Sequence, residues 1–317
     1  MIPALRRLAL HLVALVLALH PTAAPAALAP AERASPAAGG CRVARTVADG
    51  ERTLTFDGEA RSYLLRLPRG YEGRRAHPLI LSFHGHGGAK ERHDANTGLS
   101  AAAAARGYVV VTPGSLPPNW NIREEPGRAR DFAFIEALLA ELDRTLCLDR
   151  DRIYAAGHSN GAAFAGLLAC RPPYRFAAVA MVAGTPPLTC PPQVAPPTLF
   201  VRGTADRTVP YDAGVLGGAV GSTARYAQAY GCRPSPIRER RMSGVERLRH
   251  TDCRGGGEVV LDTVEGGVHV WPGGPRAAQR PDNSEAGRRY PATGAVLDFF
   301  DHHRGRPWTR SDGSPGL

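Results

Sequence analysis

Residues Arg152–Ala169 read RIYAAGHSNGAAFAGLLA, and this stretch decides the fold. RIYAA is short and apolar and reads as a buried strand. Asn160 to Ala169 is Ala- and Leu-rich and reads as a helix. Between them lies Gly157-His158-Ser159-Asn160-Gly161. G-x-S-x-G at a strand-to-helix turn describes a nucleophile elbow. Such a turn is so tight that side chains flanking the serine clash, and glycine on both sides relieves this. The Ser159 hydroxyl is then held up at the sheet edge, at a helix N-terminus whose partial positive charge favours negative charge on a reacting group. The pentapeptide says little alone in a chain with 36 glycines. The strand before it and the helix after it supply the context.

Working outward, Arg61–Leu67 (RSYLLRL) alternates like a strand, and Pro78–Phe83 (PLILSF) and Tyr108–Thr112 (YVVVT) are apolar runs suited to parallel strands buried on both faces. Asn96–Arg106 is Ala-rich and Asp131–Leu146 has apolar residues at helical spacing, so both predict helices. Ala177–Val182, Thr198–Val201 and Val259–Val264 predict further strands; Ser222–Tyr230 and Ala292–His303 predict helices. Strands alternating with helices imply an α/β fold, a mostly parallel central sheet with helices on both faces. In such sheets chemistry lies at the carboxyl ends of the strands.

A serine hydroxyl needs a base, and the base an orienting carboxylate. After TLFV comes Gly203-Thr204-Ala205-Asp206, which puts Asp206 on a strand-end loop; Asp212 and Asp262 are its competitors. Downstream histidines are His250, His269, His302 and His303. His269 follows a predicted strand and the Gly266-Gly267 turn, so it is the expected base. For the oxyanion, the backbone N–H of Asn160 follows the nucleophile, and His84-Gly85-His86-Gly87-Gly88 follows PLILSF like an HGGG-type loop. The N–H of His86 is the expected second donor. A metal held by His84 and His86 lacks an evident third ligand, so neither a metal nor a cofactor is expected. Trp120 and Trp271 are candidates for the walls of the substrate cleft.

The chain of 317 residues opens with Arg6-Arg7, an apolar run from Leu8 to Leu19 and the small residues Ala24-Pro25-Ala26. This pattern predicts a secretory signal peptide over residues 1–26, too short for a membrane span. Residues 27–40 are expected to be a disordered leader, 41–306 the catalytic domain and 307–317 a flexible tail. Six cysteines (Cys41, Cys147, Cys170, Cys190, Cys232 and Cys253) suit disulfides in an exported chain. They allow 15 pairings. The nearest pairs along the chain, Cys232 with Cys253 and Cys170 with Cys190, leave Cys41 with Cys147. The net charge is +10, Lys90 is the only lysine, and the arginines are scattered without a nucleic-acid motif. An ester substrate is the expected partner, with no nucleic acid, no membrane anchor and a monomeric state.

RSYLLRLP, PLILSFHGHGG, DRIYAAGHSNGAAFA, FVRGTADRTVPY and GGVHVWPGG together span much of Arg61 to Phe300. On these motifs the chain resembles secreted esterases of the polyhydroxybutyrate depolymerase and feruloyl or acetylxylan esterase group, including mycobacterial lipoprotein-type members. The resemblance implies an α/β-hydrolase fold, Ser159, Asp206 and His269 as the triad, and an oxyanion donor at His86. Ala162 stands where a second glycine commonly follows the elbow. Little chain follows the terminal helix, so small esters are expected rather than solid polyester. A serine peptidase and a catalytically inactive binding module on the same fold are the alternatives.

Overall fold

The computed structural model describes residue 41 and residues 47–116, 119–122, 130–171, 176–185, 196–213 and 217–305. The expected signal peptide, the leader over 27–40 and the tail over 307–317 lie outside the described residues. The strands are β1 (Gly50–Phe56), β2 (Glu59–Arg66), β3 (His77–Phe83), β4 (Val109–Pro113), β5 (Leu148–His158), β6 (Ala178–Val182), β7 (Thr198–Gly203), β8 (Ile237–Met242), β9 (Val245–His250) and β10 (Val259–Val264). The helices are α1 (Lys90–Thr97), α2 (Leu99–Ala105), α3 (Arg130–Thr145), α4 (Asn160–Ala169), α5 (Gly218–Ala229), α6 (Pro275–Ala278), α7 (Glu285–Arg289) and α8 (Ala292–Asp301).

All these strands join one sheet in the order β1-β2-β4-β3-β5-β6-β7-β10-β9-β8. The middle of it, β4-β3-β5-β6-β7-β10, is parallel. The β1–β2 and β8–β9 hairpins close the two edges in antiparallel pairing. The parallel strands are apolar runs because both faces are covered. Leu79, Leu81 and Phe83 of β3 belong to one buried cluster with Phe134 of α3, Phe164 of α4 and Tyr226 of α5. Ile80 of the same strand packs on the other side with Ala103 of α2 and Phe300 of α8. Each such fully buried Leu or Phe contributes roughly 1.5–3 kcal/mol.

Three differences from the sequence reading have plain causes. The helix predicted over 96–106 is two, α1 and α2, broken at Gly98, whose φ of 60° and ψ of 14° no helix continues through. The unpredicted β8 (IRERRM) is mostly charged because it is the exposed edge strand, and the unpredicted β9 (VERLRH) beside it buries only Val245, Leu248 and His250. Strand β5 begins at Leu148, before the predicted RIYAA.

Cys41–Cys147 and Cys232–Cys253 are disulfides, the pairings expected from sequence. Cys170 is also disulfide-bonded, and its expected partner Cys190 lies outside the described residues. Among the described residues no helix is long and apolar enough to cross a membrane.

Candidate active site

Strand β5 lies between β3 and β6, with Gly157 level with Phe83 and Met181. The chain leaving β5 therefore emerges mid-sheet. Ser159 sits at φ 56° and ψ −118°, a conformation that non-glycine residues rarely adopt, and directly precedes α4. Its N–H donates to Val182 O at 2.9 Å, and its carbonyl accepts from Ala162 and Ala163 at 3.0 and 3.1 Å. The flanking glycines are required by close approach: a Cβ on Gly157 would stand 2.2 Å from Gly161 O, and one on Gly161 would stand 2.3 Å from Phe83 O.

Asp206 and His269 follow β7 and β10, which run side by side with Gly203 level with Val264. Their loops are stitched together. Ala205 N–H donates to Gly267 O at 2.9 Å, and Gly266 N–H donates to Thr204 Oγ1 at 2.7 Å. Buried Asn283 steadies the histidine loop by accepting from Val268 N–H and donating to Ala277 O. The result is a continuous relay. Ser159 Oγ lies 2.9 Å from His269 Nε2, and His269 Nδ1 lies 2.7 Å from Asp206 Oδ2. Asp206 Oδ1 accepts the N–H groups of Thr208 and Val209 at 2.9 and 2.8 Å. Burial opposes ionisation of Asp206, but the bonds from His269, Val209 and Thr208 outweigh it and hold the carboxyl below its usual range.

The competing residues lie elsewhere. Asp262 is fully buried and paired with Arg247 at 2.6 and 2.7 Å. His250 is in β9, while His302 and His303 bond to the carbonyls of Asp298 and Phe299 at the end of α8. His158 packs 5.1 Å from His269, ring to ring. Burial, then the His269 ring, pushes its pKa down to about 3.

The HGHGG loop forms a tight turn in which Gly88 N–H donates to Gly85 O at 3.0 Å, with Gly87 at φ 60°. A positive φ at that turn position calls for glycine. Within the described residues, the N–H groups of His86 and Asn160 have no hydrogen-bond acceptor. His84 braces the loop. Its Nε2 accepts from Ser115 N–H at 3.1 Å, so its Nδ1 donates to Gly85 O at 2.9 Å. Both ring nitrogens are thus engaged. Among the described residues no cluster of three or more His, Cys, Asp or Glu is arranged to hold a metal ion.

The two tryptophans part company. Trp271 lines a cleft of about 400 Å³ together with Ser159, His269 and the HGHGG loop. Its indole N–H donates to Thr293 Oγ1 at 2.9 Å. Trp120, expected at the cleft, is instead fully buried, stacked on Phe164 at 4.7 Å and edge-on to Phe83 at 5.2 Å. Its reason is positional. Trp120 N–H donates to Asn160 Oδ1, Asn160 Nδ2 donates to Trp120 O, and the indole N–H donates to His84 O. Trp120 thereby ties the elbow to the HGHGG loop from below. Nothing in the sequence signals this link, nor the cleft residues Arg92, His93 and Arg276.

Residues 61–186 match the family model described as Esterase PHB depolymerase. NocK of Nocardia uniformis subsp. tsuyamanensis, a protein named as an esterase, is 34% identical over 268 residues, covering 73% of this chain and 77% of NocK. The chain belongs to this esterase family. Feruloyl esterase B of Piromyces equi is 27% identical over 233 residues, covering 66% of this chain and 42% of that enzyme. The solved acetyl xylan esterase from Aspergillus awamori superposes with a TM-score of 0.60 at 12% identity, covering 80% of this esterase and 99% of that chain, a likeness of fold. The protein is therefore a carboxylic ester hydrolase with an α/β-hydrolase fold.

Proposed function

We propose that this esterase is an exported serine hydrolase that works through a covalent acyl-Ser159. The observation that carries the reading is the relay from Ser159 Oγ through His269 to Asp206. His269 Nε2 takes the hydroxyl proton as Ser159 attacks the ester carbonyl. Asp206 keeps the imidazole proton on Nδ1 and stabilises the imidazolium. The N–H groups of Asn160 and His86 hold the oxyanion. His269 then protonates the leaving alkoxide, and water, deprotonated by His269, releases the acid.

The substrate class we propose is a small carboxylic ester: a feruloyl or acetyl ester of plant polysaccharide, or a hydroxyalkanoate ester. The family match and the similarity to a feruloyl esterase support it. The Trp271 wall of the cleft suits an aromatic or apolar acyl group. Export by a cleaved signal peptide over residues 1–26 and a monomeric catalytic domain over 41–306 complete the proposal. The disulfides support the export.

A hydrolysis panel of methyl ferulate, acetylated xylan, hydroxybutyrate oligomers and p-nitrophenyl esters of rising chain length tests it, run beside Ser159→Ala. The mechanism predicts loss of several orders of magnitude in the variant. Full activity of Ser159→Ala on p-nitrophenyl acetate would contradict it.

A further inference from the structure

The cleft around Ser159 is one-signed. Among the described residues it is lined by Arg92 from α1 and Arg276 from α6, and by no Asp or Glu. The two helices pack against each other. Gly274, just before α6, approaches α1 so closely that a Cβ there would stand 2.2 Å from Asn96 O. Both arginines are exposed. Among the described residues Arg276 has no hydrogen bond or ion pair, and Arg92 makes one hydrogen bond, to Gly87 O at 2.8 Å.

Carboxylates close in sequence or at the site are engaged elsewhere. Glu91 is held by Lys90 at 2.8 Å, Asp94 faces Arg66 at 3.7 Å, and Asp282 is held by Arg280 at 2.6 Å. Asp206 lies behind His269 with its side chain fully buried. Two unpaired guanidinium groups on one wall of a cleft focus positive potential where an ester must lie. A guanidinium fork also matches the two oxygens of a carboxylate.

We propose that Arg92 and Arg276 form a carboxylate subsite, so that this esterase prefers esters carrying a second, free carboxylate near the scissile bond. Half-esters of dicarboxylic acids and ester oligomers ending in a free acid are the substrate class. The inference rests on the esterase reading of Ser159 and goes beyond it in assigning a charge preference.

The test uses charged and neutral esters of matched shape. On the acyl side, the p-nitrophenyl half-ester of adipic acid is compared with p-nitrophenyl 6-oxoheptanoate. On the alcohol side, 4-acetoxybenzoate is compared with 4-acetoxyacetophenone. The readout is the charged-to-neutral ratio of kcat/KM in wild type, Arg276→Gln and Arg276→Glu, at low and high salt. Comparing ratios between proteins cancels the intrinsic reactivity of each ester.

The subsite predicts that, for at least one pair, Arg276→Gln lowers the ratio about 3- to 10-fold at low salt. Arg276→Glu lowers it further, and salt shrinks the wild-type ratio. A ratio identical in wild type and both variants for both pairs overturns the carboxylate subsite and leaves the esterase reading standing. A wild type inactive on all four esters overturns both.

Discussion

Replacing Asp206 by Asn asks whether the carboxylate sets the state of His269. Asp206 uses both oxygens: Oδ2 faces His269 Nδ1 at 2.7 Å, and Oδ1 accepts two backbone N–H groups at 2.8 and 2.9 Å. An amide has one oxygen. If that oxygen keeps the N–H groups of Thr208 and Val209, the amide NH2 faces His269 Nδ1 and can only donate. The imidazole must then carry its proton on Nε2, where it points at Ser159 Oγ and cannot accept the hydroxyl proton. The opposite amide orientation leaves two N–H donors facing an NH2, at about 1–3 kcal/mol for each unsatisfied group, so the first orientation is preferred. Holding the base in the wrong tautomer costs about 10^4-fold in kcat, which is about 5 kcal/mol of barrier. The assay is kcat/KM on p-nitrophenyl acetate for Asp206→Asn beside wild type, with circular dichroism to show that the variant is folded. A folded variant within tenfold of wild type would refute the argument. The same substitution bears on acid stability. The folded carboxyl ionises below its ordinary value of 3.8. Its contribution is therefore present above pH 3.8 and lost as pH falls through the folded value, so the stability gap between wild type and Asp206→Asn should narrow there.

Buried His93, whose Nε2 bonds Ser82 Oγ at 2.9 Å, has its pKa pushed from 6.5 down to about 3, first by burial and then by His84. Below pH 6.5 the unfolded chain gains a proton that the folded chain refuses, so stability falls toward acid by up to about 1.4 kcal/mol per pH unit for this group. Urea titrations across that range should show a shallower loss in His93→Gln, and an identical slope would count against a neutral buried ring. Trp120→Ala should cost about 3–5 kcal/mol of stability as a large buried side chain is removed. A rise in KM with stability intact would instead place Trp120 in the cleft. Removing the Cys41–Cys147 disulfide by alanine at both positions should cost about 2–5 kcal/mol, since it closes a long loop with a sequence separation of 106; an unchanged urea midpoint would contradict this.

The parallel core and the relay were legible in sequence for one physical reason. A strand buried on both faces must be a short apolar run, and in this topology reactive groups follow its carboxyl end. RIYAA, TLFV and VVLDTV each end just before Ser159, Asp206 and His269 respectively. The edge was not legible, because Ile237–Met242 is largely exposed and Val245–His250 is only half-buried, and both carry arginine and glutamate where full burial would have demanded apolar residues. Nor was the burial of Trp120. A loop tryptophan near an active site reads as a cleft wall until its partners are known, and Asn160, His84 and Phe164 reach it from other segments of the chain. Arg276 is illegible for a related reason: among 39 lysines and arginines, nothing in the sequence separates a cation without a counter-ion from one that has it.

In the proposed mechanism Ser159 is the nucleophile, activated by its neighbours in the folded protein. Its most direct measurement is labelling with a fluorophosphonate probe, followed by intact mass and peptide mapping. A single adduct is expected on the peptide containing Ser159, formed in step with loss of esterase activity, absent in Ser159→Ala and much slowed in Asp206→Asn. An adduct on any other residue, or a fully labelled protein that still hydrolyses p-nitrophenyl acetate, would contradict it.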